Sequence, residues 1–303
     1  MTAPSYTGRF APSPTGPLHA GSMLAALASC LESRVRGGKW LLRMEDVDAP
    51  RTRPGAADTI LRQLDACGFE WDGKVEWQSQ RLDAYRHALD QLIAAGHAYP
   101  CACSRREIAD SALLAPDGSH RYPGTCRNGL LPGRSARAWR CRTMAVKLHW
   151  MDAIQGAQSE ALAETVGDFV LLRADGQFAY QLAVVVDDSW QSVTHVVRGA
   201  DLLDSTGRQR HLQTLLGQPH PEYAHLPVLT NASGEKLSKQ TLAAPVDPEH
   251  PEIALVRALQ LLGQDPPGGL QTASVATIWD WARTHWTLEN VPRQRTLKIE
   301  DAR

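Results

Sequence analysis

The spacing of apolar and polar positions opens the chain on a strand, Tyr6–Ala11, followed by a Pro12–Pro17 loop of prolines and one glycine. Such residues interrupt both helical and strand periodicity, so a tight loop is expected there. Helical spacing runs from about His19 to Arg36 and stops at Gly37-Gly38, a common helix end. Lys39–Met44 reads as a second strand, and Pro54 opens a helix that Gly68 closes. Between Gln80 and Ala95 the stripe Leu82, Tyr85, Leu89, Leu92 predicts an amphipathic helix ending at Gly96. Strand and helix alternate, which predicts an α/β fold with a parallel sheet.

The region from Tyr99 to about Pro132 breaks this pattern. It is rich in Cys, Pro, Gly and Arg and reads as an inserted module without a large core. Phe178–Val186 is a valine-rich apolar run and predicts a buried strand. Thr194–Val197 predicts another strand and Leu202–Leu216 a helix. Lys236–Lys239 falls in a loop just after Gly234, and the tail, with Trp279, Trp281 and Trp286, reads as helical. No internal repeat or long low-complexity segment is present.

Composition narrows the class. The 303 residues allow one large domain or a domain plus a smaller one, and 43% hydrophobic with 21% charged residues is ordinary for a globular protein. Runs such as Leu182–Val186 are too short to span a bilayer, and Met1–Arg9 has no signal-peptide core. A cytoplasmic location and no membrane partner are expected, and a monomer. Without an export signal, disulfides are not expected among the six cysteines, and Cys30 and Cys67 read as core residues on apolar helical faces. The net charge of −1 does not announce a nucleic-acid binder, but its distribution does more. No carboxylate lies between Asp117 and Asp152, a stretch holding Arg121, Arg127, Arg134, Arg137, Arg140, Arg142 and Lys147. This local field suits a phosphate backbone, and equally a solvated arginine-rich surface.

Two segments carry candidate chemistry. In Arg9-Phe-Ala-Pro-Ser-Pro-Thr-Gly-Pro-Leu-His19-Ala-Gly21-Ser22 a strand leads through the proline loop into a helix with His19 in its first turn. A helix N-terminus presents unpaired N–H groups to a phosphate, Gly21 allows close approach, and His19 can donate to a phosphoryl oxygen. Alone, the segment reads as well as a helix-capping histidine. In Gly234-Glu-Lys236-Leu-Ser238-Lys239-Gln240, two lysines three apart can both reach a polyphosphate. Alone, this is a solvated basic loop.

Together and in this order the two segments resemble the class I aminoacyl-tRNA synthetases, with Leu18–Ser22 matching the HIGH motif and Lys236–Gln240 the KMSKS motif. Gln240 departs from the usual Ser. The opening Arg9-Phe-Ala-Pro-Ser-Pro-Thr-Gly is similar to glutamyl- and glutaminyl-tRNA synthetases. So are Tyr180-Gln-Leu-Ala-Val-Val-Val-Asp-Asp188 and Thr194-His-Val-Val-Arg198-Gly-Ala-Asp201-Leu-Leu-Asp-Ser205.

The resemblance covers roughly residues 5–240. It implies a Rossmann-like catalytic domain in two halves, 1–98 and 166–242, with a small zinc-binding, acceptor-type insert at 99–165 and a short helical region at 243–303. It implies ATP with Mg²⁺ held at His19, Gly21, Ser22, Lys236, Ser238 and Lys239, with His19 and Lys239 catalytic. It places L-glutamate on Arg9, Phe10, Ala11, Pro12, Ser13, Glu45, Tyr180 and Arg198. The chemistry agrees, since Arg9 and Arg198 can each fork onto a carboxylate while Glu45 takes the ammonium group. Which arginine takes which carboxylate stays open. Without the resemblance, Arg9 and Glu45 read as a structural ion pair.

Cys101-Ala-Cys103 followed by Tyr122-Pro-Gly-Thr-Cys126 offers three thiolates for a closed structural zinc site. On chemistry alone the fourth ligand is His120 or Cys141. The resemblance places zinc on Cys101, Cys103, Tyr122 and Cys126. A full glutamyl-tRNA synthetase continues into a large anticodon-binding domain, whereas about sixty residues follow Gln240 here. Short members of the family glutamylate the queuosine of tRNA(Asp), and the resemblance implies that activity, with tRNA-independent activation of glutamate. The alternatives are charging of a tRNA 3′ end, or a non-catalytic paralogue.

Overall fold

The computed structural model describes residues 6–111, 113–114, 120–231, 233–234 and 245–299. β1 (Thr7–Phe10) is buried along its length, and α1 (Ala20–Val35) returns across it to β2 (Lys39–Met44). α2 (Ala56–Ala66) and the short β3 (Glu76–Trp77) follow. β1 pairs with β2, and β2 with β3, all parallel, with Arg9 opposite Leu41. At Gly8 a side chain would collide with Ser33 of α1, so the glycine sets how closely helix and sheet pack.

α3 (Leu82–Ala94) buries Tyr85, Leu89 and Leu92 as its stripe predicts, but Leu82 at its first turn is 45% exposed. The chain then leaves the parallel sheet, to which it returns in the strand that begins at Lys147. β4 (Ala98–Cys101), the one-turn α4 (Arg105–Ala109) and β5 (Ala138–Cys141) come first. The hairpin of β6 (Lys147–Asp152) and β7 (Gly156–Ala161), α5 (Leu162–Thr165) and β8 (Val170–Leu172) follow. β4, β5 and β8 form a separate antiparallel sheet, in that order.

The expected strand at Phe178–Val186 is a helix, α6 (Tyr180–Trp190). Every residue from Leu182 to Asp188 is buried, so no polar face betrays the helical period. A short apolar run buried on all sides cannot be assigned by periodicity, and valine content misleads when packing decides. Leu202–Leu216 likewise opens as a 3₁₀ turn, Ala200–Ser205, before α7 (Thr206–Leu215).

β9 (His195–Gly199) and β10 (Glu222–Leu226) restore the parallel sheet. Thr194 N–H donates to the Thr7 carbonyl at 2.9 Å, so β9 lies against β1. β10 also pairs with β6, giving a strand sequence β3-β2-β1-β9-β10-β6-β7 across the sheet. After β11 (Val228–Thr230) come α8 (Pro251–Leu261), α9 (Val275–His285) and β12 (Thr296–Lys298), which pairs in parallel with β11.

These C-terminal helices share one apolar core with the first half of the sheet: Leu255, Leu259, Ile278 and Trp279 pack with Leu27, Leu31, Ile60 and Leu64. Trp279 Nε1 donates to the Cys67 carbonyl at 2.8 Å and Trp286 Nε1 to Glu32 Oε2 at 2.7 Å. Cys30 and Cys67 are buried, and all six cysteines are free thiols. No described helix is long and apolar enough to cross a membrane.

Candidate active site

β1 has β2 on one side and β9 on the other, so connections diverge where β1 and β9 meet. In open parallel sheets such a switch point leaves a crevice at the carboxyl ends of the strands, the usual ligand position. A cleft of about 1910 Å³ lies there. It is lined by Arg9, Phe10, Ala11, Pro12, Ser13, His19, Gly21, Ser22, Glu45, Tyr180 and Arg198, residues spread over 190 positions of sequence. All the expected glutamate-site residues and the three expected nucleotide-site residues of the first motif therefore meet in one cavity.

His19 is the N-cap of α1. Its Nδ1 accepts from Ser22 N at 3.3 Å and its Nε2 lies 3.2 Å from Ser22 Oγ. The capping role and the nucleotide role are thus compatible, because a capping histidine stands where a helix offers its free N–H groups. A side chain at Gly21 would press on the His19 ring, at 3.2 Å from Cε1. Lys236, Ser238 and Lys239 lie outside the described residues. The chain returns from that segment beside the first motif: Pro245 bridges His19, and Val246 N–H donates to the Leu18 carbonyl at 2.9 Å. Gln63 fixes this return by accepting from Leu18 N at 2.7 Å and donating to the Val246 carbonyl at 2.6 Å.

The cleft floor holds a charge network. Arg9 does not pair with Glu45; its Nε and Nη2 donate to the two carboxylate oxygens of Asp188 at 3.3 and 3.4 Å. The partner of Glu45 is the fully buried Arg43, which donates to Glu45 at 3.2 Å, to Asp188 at 2.8 Å and to Gln191 at 2.5 Å. Burial opposes ionisation of Asp188, but Arg9 and Arg43 outweigh it and hold its pKa below the usual carboxylate range. For Glu45 the balance goes the other way. Burial dominates and raises its pKa despite Arg43 and Arg9, so the carboxylate gains from an ammonium group arriving from the cleft. Asp187, next in α6, lies 3.9 Å from Arg43 Nε and accepts from Gln78, Arg81 and Tyr85.

Arg198 sits at the end of β9 in different company. It donates to His225 Nε2 at 3.0 Å, Thr206 Oγ1 at 3.0 Å, the Leu202 carbonyl at 3.3 Å and Tyr180 Oη at 3.4 Å. Arg43, Asp188, His225 and Asp152 escaped the sequence reading. The adjacent acids Asp187 and Asp188 inside an apolar run were the one available signal, since carboxylates are seldom buried unless paired.

The cysteines form a second cluster in the insert. The sulfurs of Cys101, Cys103 and Cys126 lie within 4.8 Å of one another, with Cys103 and Cys126 3.6 Å apart. Tyr122 Oη is 3.4 Å from Cys101 Sγ and 3.7 Å from Cys103 Sγ, and it accepts from Cys126 N at 2.8 Å. Thiolates sharing one zinc ion at about 2.3 Å sit roughly 3.8 Å apart, so this spacing fits a tetrahedral ion with Tyr122 as the fourth donor. Cys141 belongs to a different apolar cluster and faces the Arg142 carbonyl, and His120 is exposed. Arg140 stacks on the Tyr122 ring at 3.8 Å and donates to Cys101 Sγ at 3.3 Å, which favours an anionic cluster.

Fold and cleft together define a nucleotide-handling α/β enzyme, and the chain matches the family described as tRNA synthetases class I (E and Q), catalytic domain, over residues 6–278. It is 64% identical to a glutamyl-Q tRNA(Asp) synthetase of Aromatoleum aromaticum, over 96% of this chain and 92% of that protein. It is 59% identical to one of Dechloromonas aromatica, over 99% of both. A glutamate-tRNA synthetase structure from Elizabethkingia anophelis superposes with a TM-score of 0.80 at 25% identity, over 98% of this chain and 68% of that one. The chain belongs to the class I tRNA synthetases of the glutamate and glutamine type, within the family of glutamyl-Q tRNA(Asp) synthetases, and is a ligase.

Proposed function

We propose that the cleft activates glutamate with ATP in the absence of tRNA, and then passes the glutamyl group to the queuosine base in the anticodon loop of tRNA(Asp). The observation that carries this reading is the convergence of Arg9, Glu45, Tyr180 and Arg198 on the cleft that also receives the N-terminus of α1. Arg9 and Arg198 hold the two carboxylates of glutamate, Glu45 holds its ammonium group, and Ser13 and Tyr180 fix its orientation. The Phe10–Pro12 backbone forms the wall beside it. ATP lies against Gly21 and Ser22, with His19 donating to a phosphate oxygen and Lys236, Ser238 and Lys239 supplying further donors to the phosphates.

The α-carboxylate of glutamate is ionised at neutral pH and attacks the α-phosphorus without a general base. One C–O–P bond forms, the bond from the α-phosphorus to the bridging oxygen breaks, and pyrophosphate leaves with that electron pair. Bound Mg²⁺ supplies charge neutralisation to the phosphates. Catalysis by the chain's own residues then rests on positioning and on cations facing the developing charge. A hydroxyl oxygen of the queuosine cyclopentenediol bonds to the activated carbonyl carbon, the bond from that carbon to the phosphate oxygen breaks, and AMP leaves with that electron pair and takes up the hydroxyl proton. The insert, residues 99–165, meets the RNA through its arginines, and one zinc ion on Cys101, Cys103, Tyr122 and Cys126 stiffens it. The two catalytic segments are 1–98 and 166–242, with 243–303 as a supporting helical region.

The test is transfer of labelled glutamate, with ATP and Mg²⁺, to tRNA from cells that make queuosine and from cells that cannot. Label confined to the first pool supports the reading. Equal label on both returns the protein to charging a 3′ end, and no label on either makes it a non-catalytic paralogue.

A further inference from the structure

Three buried arginines stand on the central sheet: Arg9, Arg43 and Arg198. The first two share the single carboxylate of Asp188. Arg198, 4% exposed, has no carboxylate of a described residue within ion-pair distance, and all its hydrogen-bond acceptors are neutral. The acceptor on its Nε is His225, which is wholly buried and whose Nδ1 lies 2.5 Å from Asp152 Oδ2. The other oxygen of Asp152 is fixed by the backbone N–H groups of His225, Ile154 and Gln155.

This geometry leaves one proton arrangement. Asp152 is an acceptor only, so His225 Nδ1 carries the proton, and Nε2 must therefore present a lone pair to the guanidinium. We propose that Asp152 and His225 are positioning residues for glutamate: they form a relay that aims Arg198 into the cleft by a neutral partner and so leaves its full positive charge for a substrate carboxylate. A carboxylate in the place of His225 would hold the guanidinium equally well but neutralise it. The Thr206 hydroxyl, 3.0 Å from Arg198 Nη2 and 3.4 Å from His225 Nε2, ties the start of α7 into the same relay. The proposal rests on the glutamate-activating reading of this cleft.

The test is glutamate-dependent ATP–pyrophosphate exchange with the full chain, wild type against His225→Gln, His225→Leu and Asp152→Asn, each first checked for a cooperative melt. A glutamine carbonyl can reach Arg198 as Nε2 does, and leucine cannot accept at all. The expected result is a KM for glutamate raised roughly tenfold or more in His225→Leu, with a smaller rise in His225→Gln. In both, the KM for ATP should stay near the wild-type value. Asp152→Asn should raise the KM for glutamate at least as much as His225→Leu, because three backbone N–H groups hold Oδ1, so the amide NH₂ faces Nδ1, reverses the tautomer and turns Nε2–H against the guanidinium. Folded variants with a wild-type KM for glutamate would overturn the relay, as would a rise shared equally by glutamate and ATP. Wild-type protein without any glutamate-dependent exchange would overturn the functional reading itself, a result that does not depend on the variants.

Discussion

At the scale of single residues, the cleft separates charge used for structure from charge offered to a ligand. Arg43 is fully enclosed and bonded to Glu45, Asp188 and Gln191, so it organises the floor. Arg198 keeps its fork partly directed at the cleft beside Tyr180. Arg198→Lys preserves the charge but not the forked geometry, and should raise the KM for glutamate roughly tenfold or more in pyrophosphate exchange. An unchanged KM would remove Arg198 from the glutamate site. For the second motif, Lys239→Ala should slow adenylate formation by orders of magnitude while leaving the melting temperature where it was. Normal exchange in that variant would rule out its assigned role.

At the scale of elements, two contacts deserve measurement. α9 and the residues after it are tied to α1 by the Trp286 indole on Glu32, whose other oxygen takes Arg36 at 2.7 Å. Trp286→Phe keeps the ring but strands a buried carboxylate oxygen, so it should cost about 1–3 kcal/mol in urea unfolding. A loss near zero would mean that water replaces the indole without penalty. The insert has its own small cluster of Tyr99, Cys101, Ala102, Tyr122 and Cys126, too few residues to hold a module by apolar burial alone. Elemental analysis should find one zinc per chain in the wild type and none in Cys103→Ala. That variant should still activate glutamate but transfer it poorly to tRNA. Full metal content in Cys103→Ala would place the ion elsewhere.

For the whole molecule, pH is the variable that reads the buried network. His225 is pushed down to about 4, mainly by burial, with Arg198 and Arg9 adding to the effect and Asp152 opposing it. The unfolded histidine titrates near 6.5, so between about 6.5 and 4 the unfolded chain binds a proton that the folded one refuses. Stability must fall as pH falls through that window. Asp152 and Asp188 have depressed values, so their contribution is present above the unfolded carboxylate range and is lost at still lower pH. Glu45 and Glu160, raised by burial, work in the opposite sense on acidification. The difference between wild type and His225→Gln reads the histidine together with Asp152, whose partner it is. The wild type should lose melting temperature more steeply from pH 6.5 to 4, and parallel curves would show that His225 is not buried neutral.

The sequence by itself determined the local chemistry and most of the first half of the fold. Proline and glycine fixed the loop before α1, helical spacing fixed α1 and α3, and the first motif segment named the cleft residues from Arg9 to Ser22, with Glu45, Tyr180 and Arg198 added by the family resemblance. These signals are local, carried by residues adjacent on the chain or one helical turn apart. The tertiary structure alone decided that Phe178–Val186 belongs to a helix, since a run buried on all faces carries no period. It alone decided the pairing of charges: Arg9 with Asp188 across 179 positions, Glu45 with Arg43 two residues away, and Arg198 with His225 and Asp152. It also showed that the C-terminal helices complete the core of the first half. Spacing along a chain records which face a residue occupies, but a buried charge is satisfied by whichever partner the packed sheet brings within reach, and that choice is made in three dimensions.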